Sequence, residues 1–237
     1  ELPPGPNLAA RLRRMLMVHP AARELLANAT CREFDVHFRR NLAYRSTTTA
    51  TDGAVLVGDA AGFIDPFYSP GMDWVAFTAS AAAALIDDSF RGKPMAPRVA
   101  RHNQNFACCY ERWFRAVYQD KYYYLGDQEL MTLAFRLDLG LYYFGMVAPA
   151  FQHGARALEV PPFVHANATW AYRLMAAYNR RFAAIARSRL RRGTWGRTNA
   201  RRNVRFTSYE FDRRLPLRIG RALLSWAALE LREGWRT

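Results

Sequence analysis

The residues best able to do chemistry lie in one short run, Val57-Gly58-Asp59-Ala60-Ala61-Gly62-Phe63-Ile64-Asp65-Pro66, which continues through Phe67-Tyr68-Ser69-Pro70-Gly71-Met72. An aspartate at the carboxyl end of an apolar strand accepts hydrogen bonds from ligand hydroxyls, and strand ends are where open α/β sheets bind ligands. Gly58 and the alanines after it leave no large side chain in the way of a ligand approaching the backbone. Pro66 and Pro70 stiffen the connection. A helix opening at Gly71 presents free N–H groups and the positive end of its dipole, which favours negative charge. A lone Gly-Asp pair would read as an ordinary capped strand-to-helix turn. The whole run instead suits a flavin, with Asp59 at the ribityl hydroxyls and the helix start near Gly71 and Met72 at the pyrimidine edge of the ring.

The elements that must hold this run follow from apolar spacing. Asn7 caps a helix over 7–18, with Leu8, Leu12, Met15 and Leu16 on one face, and His19-Pro20 interrupts it before 21–27. Phe34, Val36 and Phe38 alternate with charged residues, and Thr47-Thr48-Thr49 is strand-prone, so residues 31–49 read as strands. Thr51-Asp52-Gly53 is a turn, and Ala54-Val55-Leu56-Val57 reads as a short strand buried on both faces. From Gly71 onward the pattern is helical, with helices predicted over 72–90, 97–124, 128–151 (broken near Gly140 or Gly145), 165–192 and 216–233. The fold class expected is α+β or α/β, a small sheet and a loop leading into a long helix, followed by a mostly α-helical tail. The division expected is residues 1–92 and 93–237.

Residues 53–71 resemble the second FAD motif of glutathione-reductase-like flavoproteins, a group that includes aromatic hydroxylases, geranylgeranyl reductases and flavin-dependent halogenases. The family's Gly-Asp pair falls on Gly58-Asp59. The Phe-x-x-Pro-x-x-Ser-x-Gly pattern of halogenases is met by Phe63, Pro66, Ser69 and Gly71, and Ala43-Tyr44-Arg45-Ser46 with Asp52-Gly53 fits the same branch. The resemblance covers roughly residues 31–90. It implies the C-terminal part of a glutathione-reductase-like FAD-binding fold, with Gly58, Asp59, Ala60, Phe63, Pro66, Ser69, Gly71 and Met72 around FAD. It implies oxidation of a small organic substrate, aromatic or carrier-bound, by reduced flavin and O2, with a separate flavin reductase as a partner where NAD(P)H is the electron donor. The Gly-x-Gly-x-x-Gly turn that holds the ADP pyrophosphate, the Trp-x-Trp-x-x-Pro signature and the active-site lysine of halogenases are not in the 237 residues. The chain is therefore read as a piece of a longer enzyme, not expected to hold FAD tightly or turn over by itself. Two departures matter. Tyr68 stands where tryptophan halogenases carry a glutamate, and a tyrosine is a poor base near neutral pH. Pro70 has no N–H to offer a halide. A halogenase-like oxidoreductase or monooxygenase is preferred over a true halogenase. A non-catalytic helical binding module with a vestigial flavin loop is the rival of another class.

Composition sets the outer limits. Half the residues are hydrophobic (51%), enough for a packed core. The longest apolar stretch, 74–86, is short of the ~20 residues of a membrane span, so a cytoplasmic protein is expected. Cys31, Cys108 and Cys109 lack metal or disulfide spacing and are expected reduced and buried, and no metal site is expected. The net charge is +14, and only Lys93 and Lys121 are lysine, so arginine makes up the other 32 of the 34 basic residues. Arg180, Arg181, Arg187, Arg189, Arg191, Arg192, Arg197, Arg201, Arg202 and Arg205 form a basic segment, a solvated helix face or a landing site for an acidic carrier, without a nucleic-acid motif. Tyr110, Trp113, Phe114, Tyr118, Tyr122, Tyr123 and Tyr124, with Tyr142, Tyr143 and Phe144, make an aromatic stripe read as helix packing, with a substrate pocket as the alternative.

Overall fold

The computed structural model describes residues 2–32, 34–165, 168–199 and 212–237, so Arg201, Arg202 and Arg205 lie outside the described residues. The chain divides into two compact units, Glu1–Leu42 and Ala43–Thr237. The expected boundary at 92/93 falls inside the second, where aromatic side chains from both sides of it share one core.

The first unit holds α1 (Leu8–Leu16) and α2 (Pro20–Leu25). Asn7 caps α1 by accepting from the Ala10 amide at 2.9 Å, and Pro20 opens α2 where its missing N–H costs nothing. Neither helix buries a residue within the described fold. The strand expected around Phe34, Val36 and Phe38 does not form. Phe34 has φ 65° and is exposed, as is Phe38, and among the described residues no neighbouring strand takes up their backbone groups. Cys31 is likewise exposed rather than buried.

The second unit begins with two small antiparallel sheets. β1 (Tyr44–Arg45) pairs with β4 (Gly62–Phe63), and β2 (Ala50–Thr51) pairs with β3 (Ala54–Val55). The β2–β3 hairpin turns on Asp52-Gly53, and Gly53 takes φ 75°, open to glycine without strain. The expected burial of 54–57 on both faces is corrected: Leu56 and Val57 are 38% and 41% exposed. Among the described residues β3 has one partner strand, so it is an edge rather than a central strand. Gly58–Ala60 then forms a single 3-10 turn.

Six helices follow. They are α3 (Gly71–Phe90), α4 (Met95–Trp113), α5 (Gln128–Tyr142), α6 (Ala148–His153), α7 (Thr169–Arg191) and α8 (Leu215–Glu233). α3 buries Trp74, Phe77, Thr78, Ala81 and Ala82, an i, i+3, i+4, i+7, i+8 stripe. Trp74 meets Phe77, Phe106 and Trp113 at centroid distances of 4.8, 5.1 and 5.8 Å, joining α3 to α4. Both α4 and α5 end in a π-helical turn, Phe114–Tyr118 and Tyr143–Val147, the second at the break anticipated near Gly145. The continuous helical run Gln128–Leu158 is long and apolar enough by composition to cross a membrane, at a mean hydropathy of 1.2. Its Leu130, Leu133, Leu137 and Leu141 are buried in the protein's own core.

Arg181, Arg187, Arg189 and Arg192 of the basic segment make ion pairs within the protein, and Arg189 is buried, while Arg180, Arg191 and Arg197 are exposed. Arg189, 5% exposed, donates from Nη1 to both carboxylate oxygens of Asp127 (2.8 and 2.9 Å), and also reaches Glu129 and Glu233, each at 2.6 Å. It thereby ties the start of α5 to the ends of α7 and α8. Arg181 pairs with Glu230, Arg187 with Asp120 and Arg192 with Glu233. A buried arginine fork is tolerated only with its donors matched this way. The Arg189 guanidinium holds the Glu233 carboxyl at about 2, well below its ordinary 4.5. A depressed folded value contributes stability above the unfolded pKa and loses it as pH falls toward the folded one. The melting temperature should therefore hold steady down to about pH 5 and drop between pH 4.5 and 2, and Glu233→Gln should flatten part of that drop. An acid profile identical in the two proteins would refute this role.

Candidate functional site

The loop from Gly58 to Pro70 is held by side-chain hydroxyls. Tyr44 Oη donates to the Asp59 carbonyl and Ser46 Oγ to that of Ala60. Tyr110 Oη donates to the Phe63 carbonyl at 3.0 Å and Tyr118 Oη to that of Phe67 at 2.8 Å. Tyr122 Oη donates to the Asp65 carboxylate, which also accepts from the Phe67 amide at 2.8 Å. The stripe on α4 and the turns after it thus has a role beyond helix packing: its hydroxyls fasten the loop carbonyls.

Tyr68 and Ser69 lie at the tip with φ 69° and 54°, a left-handed conformation that costs non-glycine residues energy and persists only where the surroundings impose it. The cause lies in α5. Tyr68 Oη donates to Asp138 Oδ2 at 2.8 Å. Asp138, 4% exposed, also takes the Lys121 ammonium on Oδ2 and the Tyr178 hydroxyl on Oδ1. Lys121 is 1% exposed, and its ammonium sits 4.9 Å from the Tyr68 ring centroid and 5.6 Å from that of Tyr124. Burial and the Asp138 carboxylate push the Tyr68 hydroxyl far above its ordinary range, so it is a fixed donor and not a base.

The residues singled out from the sequence occupy distinct places along the loop. Asp59 is exposed, and its carboxylate has no hydrogen-bond partner among the described residues. Ala60 beside it is exposed. Gly58 is buried, with φ 54°, and donates its N–H to Thr78 Oγ1 at 2.9 Å. A Cβ there would stand 3.1 Å from Val75 Cγ2, so glycine at 58 also lets the loop lie close against α3. Phe63 is half-buried and lies 6.4 Å from the Tyr44 ring. Pro66 is exposed and its carbonyl accepts from the Ser69 amide at 2.9 Å. Gly71 and Met72 are exposed at the start of α3, where Pro70 is the cap residue and a Cβ on Gly71 would meet open space.

Two cavities adjoin the first turn of α3, and the smaller is also lined by the end of the loop. The smaller, about 250 Å³, is lined by Tyr68, Ser69, Tyr118, Asp138, Tyr142 and Met175 among others. The larger, about 610 Å³, runs between α3, the second π-helical turn and α7. They share a wall of Asp73, Tyr142, Met146 and Phe163. Tyr142 Oη donates to Asp73 at 3.0 Å. Burial raises the Asp73 carboxyl, with the Tyr142 bond opposing, and the Tyr142 hydroxyl is pushed up to about 12 by burial and by Asp73.

Asp138, Lys121, Tyr178 and Asp73 escaped the sequence reading. One signal was available: Asp138 falls on the 130, 133/134, 137, 141 stripe of α5, and a carboxylate on an apolar stripe demands a buried partner. Asp73 carries no such mark, since acidic residues are common in a first helical turn.

In comparison with known proteins, the chain is 35% identical over 95 residues to the flavin-dependent halogenase armH4 of Armillaria mellea, a match covering 40% of this chain and 18% of that protein. The chain thus matches about a fifth of that relative's length. No family model matches the chain. No solved structure matches it.

The clamp has a measurable weight. Asp138→Ala leaves Lys121 as an unpaired buried ammonium and should cost about 3–5 kcal/mol in urea unfolding. Tyr68→Phe removes one hydrogen bond and should cost about 1 kcal/mol. Equal losses in the two variants would contradict the ion pair as the foundation of the loop.

Proposed function

We propose that this chain is the part of an FAD-dependent oxidoreductase that closes over the flavin, in a halogenase-like enzyme that uses reduced flavin and O2 to oxidise an organic substrate. The proposal includes a glutathione-reductase-like FAD-binding fold, with residues 58–72 as its second flavin motif. The observation that carries it is the union of an exposed Asp59 carboxylate, without a partner among the described residues, with a pinned loop ending at the start of the 20-residue helix α3. Similarity to a flavin-dependent halogenase supports the same reading.

The residues present fit such a group. The Asp59 carboxylate would accept from hydroxyls of a polyol chain, and the exposed residues Gly71 and Met72 stand at the positive end of the α3 dipole, where an anionic ring edge is stabilised. The flavin, when bound, supplies the redox chemistry. The chain's own part is to bind and orient it, and to keep water from the apolar cavities behind the loop. Tyr68 contributes no proton transfer, since its hydroxyl is locked on Asp138.

Halogenation is the second reading, favoured by the halogenase similarity. It must dispense with one backbone donor, because Pro70 stands where a halide would be met by an N–H. A bromide-dependent mass shift in the product would select it. A vestigial loop on a binding module is the remaining rival.

The protein expressed from its whole coding sequence should purify yellow and release FAD on denaturation. Asp59→Ala should lower flavin occupancy by roughly fivefold or more, the loss of a charge-assisted hydrogen bond worth about 1.5–3 kcal/mol being large enough. Colourless protein would overturn the proposal, and full occupancy in Asp59→Ala would remove Asp59 from it.

A further inference from the structure

Helix α8 carries two apolar faces, and among the described residues only one of them is covered. Leu215, Ile219, Ala222 and Leu229 are buried, and the helix packs against α5. On the other side Leu217, Leu224 and Leu231 recur every seven residues, so they fall within about 40° of one another around the helix. All three, with Trp235 in the turn that follows, are between 66% and 84% exposed. Only the small residues Gly220, Ala227 and Ala228 lie between the leucines on that side. The result is an apolar stripe about 21 Å long from Leu217 to Leu231. A contiguous apolar surface of this kind marks a place where something docks, whereas a single exposed leucine would not.

The charges around the stripe decide what that partner is. The carboxylates on and beside α8 are already taken: Asp212 by Arg218, Glu230 by Arg181, Glu233 by Arg189 and Arg192, and Glu129 by Arg189 and Arg232. Arg213, Arg214 and Arg221 are exposed, and among the described residues their guanidinium groups have no partner. Arg214 and Arg221 stand one turn from Leu217, at i, i+3 and i, i+4 spacing. Arg236 lies over the Trp235 ring at 4.6 Å. The apolar stripe is therefore flanked by free cations and by no free side-chain anion. A second copy of the helix would bring the same arginines and no free carboxylate to meet them, and like charges facing each other oppose association. An anionic bilayer meets both requirements, with acyl chains for the leucines and phosphate oxygens for the guanidinium forks. A tryptophan at the end of such a stripe suits the headgroup level, where its ring is half in hydrocarbon and its N–H is wet. The net charge of +14 adds attraction at longer range.

We propose that the outer face of α8 docks on an anionic lipid surface. The helix lies in the plane of the headgroups, with Leu217, Leu224 and Leu231 dipped among the first acyl carbons and Trp235 at the headgroup level. Arg213, Arg214, Arg221 and Arg236 pair with lipid phosphates. The contact is peripheral and reversible, since three leucines bury far less apolar surface than a spanning helix. It is independent of what residues 58–72 bind, and it concerns where the protein works rather than what it oxidises.

The test is co-sedimentation of the protein expressed from its whole coding sequence with vesicles of phosphatidylcholine alone or of phosphatidylcholine with phosphatidylserine. The protein should sediment with the phosphatidylserine vesicles and remain free of the neutral ones. Binding should weaken as salt shortens the Debye length from about 10 Å at 0.1 M to about 3 Å at 1 M. Leu224→Ser should weaken it by about tenfold or more, while melting temperature and flavin content stay unchanged, because Leu224 is exposed. Arg214→Gln and Arg221→Gln should each weaken it by about fivefold. Vesicles with brominated acyl chains should quench tryptophan emission, and Trp235→Phe should remove most of that quenching, since Trp226 on the same helix donates to Glu230 on the inner side. Binding that Leu224→Ser leaves unchanged, or quenching that survives Trp235→Phe, would mean the generic adsorption of a cationic protein and would overturn the proposal. So would a dimer that Leu224→Ser dissociates, or a melting temperature that Leu224→Ser lowers, since a second copy or another segment of the chain would then cover the stripe.

Discussion

Asp138 is the fixed point of the candidate site. A carboxylate in the middle of α5, 4% exposed, is sustainable only if its charge is met and its lone pairs are filled. Lys121 supplies the charge, and Tyr68 and Tyr178 fill the remaining capacity. Through Tyr68 the arrangement reaches the loop that follows Asp59 and imposes the left-handed backbone of Tyr68 and Ser69. That strain is local, and the cost is met by a buried cluster that cannot be disturbed without exposing an ion.

The rest of the loop is fastened by many weak bonds rather than one strong one. Four tyrosines and a serine donate to it between Asp59 and Phe67. Each bond is worth about 1 kcal/mol, but together they hold a segment without strand partners over most of its length. Rigid support beneath a surface loop is what a binding site needs, since geometry fixed before binding is not ordered at the ligand's expense.

Local signals in the sequence were reliable where the structure is local. The Asn7 cap, the Asp52-Gly53 turn, α3 from Gly71 and the interruption near Gly145 are set by neighbours within a few residues. Failures came where partners are distant or missing. Alternation at Phe34, Val36 and Phe38 promised a strand, yet a strand needs a neighbour, and none is present among the described residues. The apolar run 54–57 promised burial, yet burial depends on what covers it. Arginines read as a charged face are instead paired over long separations, Arg189 with Asp127 across 62 positions. Tyr68 and Asp138 are 70 positions apart, so no motif could have joined them. What was legible of the site was the loop itself; what was not was its foundation.

The central claim is that residues 58–72 form a loop shaped for a flavin before one arrives. Hydrogen–deuterium exchange on the protein expressed from its whole coding sequence, with flavin stripped and then restored, tests it most directly. The account predicts that the stripped protein already exchanges slowly at the loop amides that make backbone hydrogen bonds, and that FAD adds protection concentrated in 57–73. Protection that appears only in the helices after Asp127, or none at saturating FAD, would contradict it.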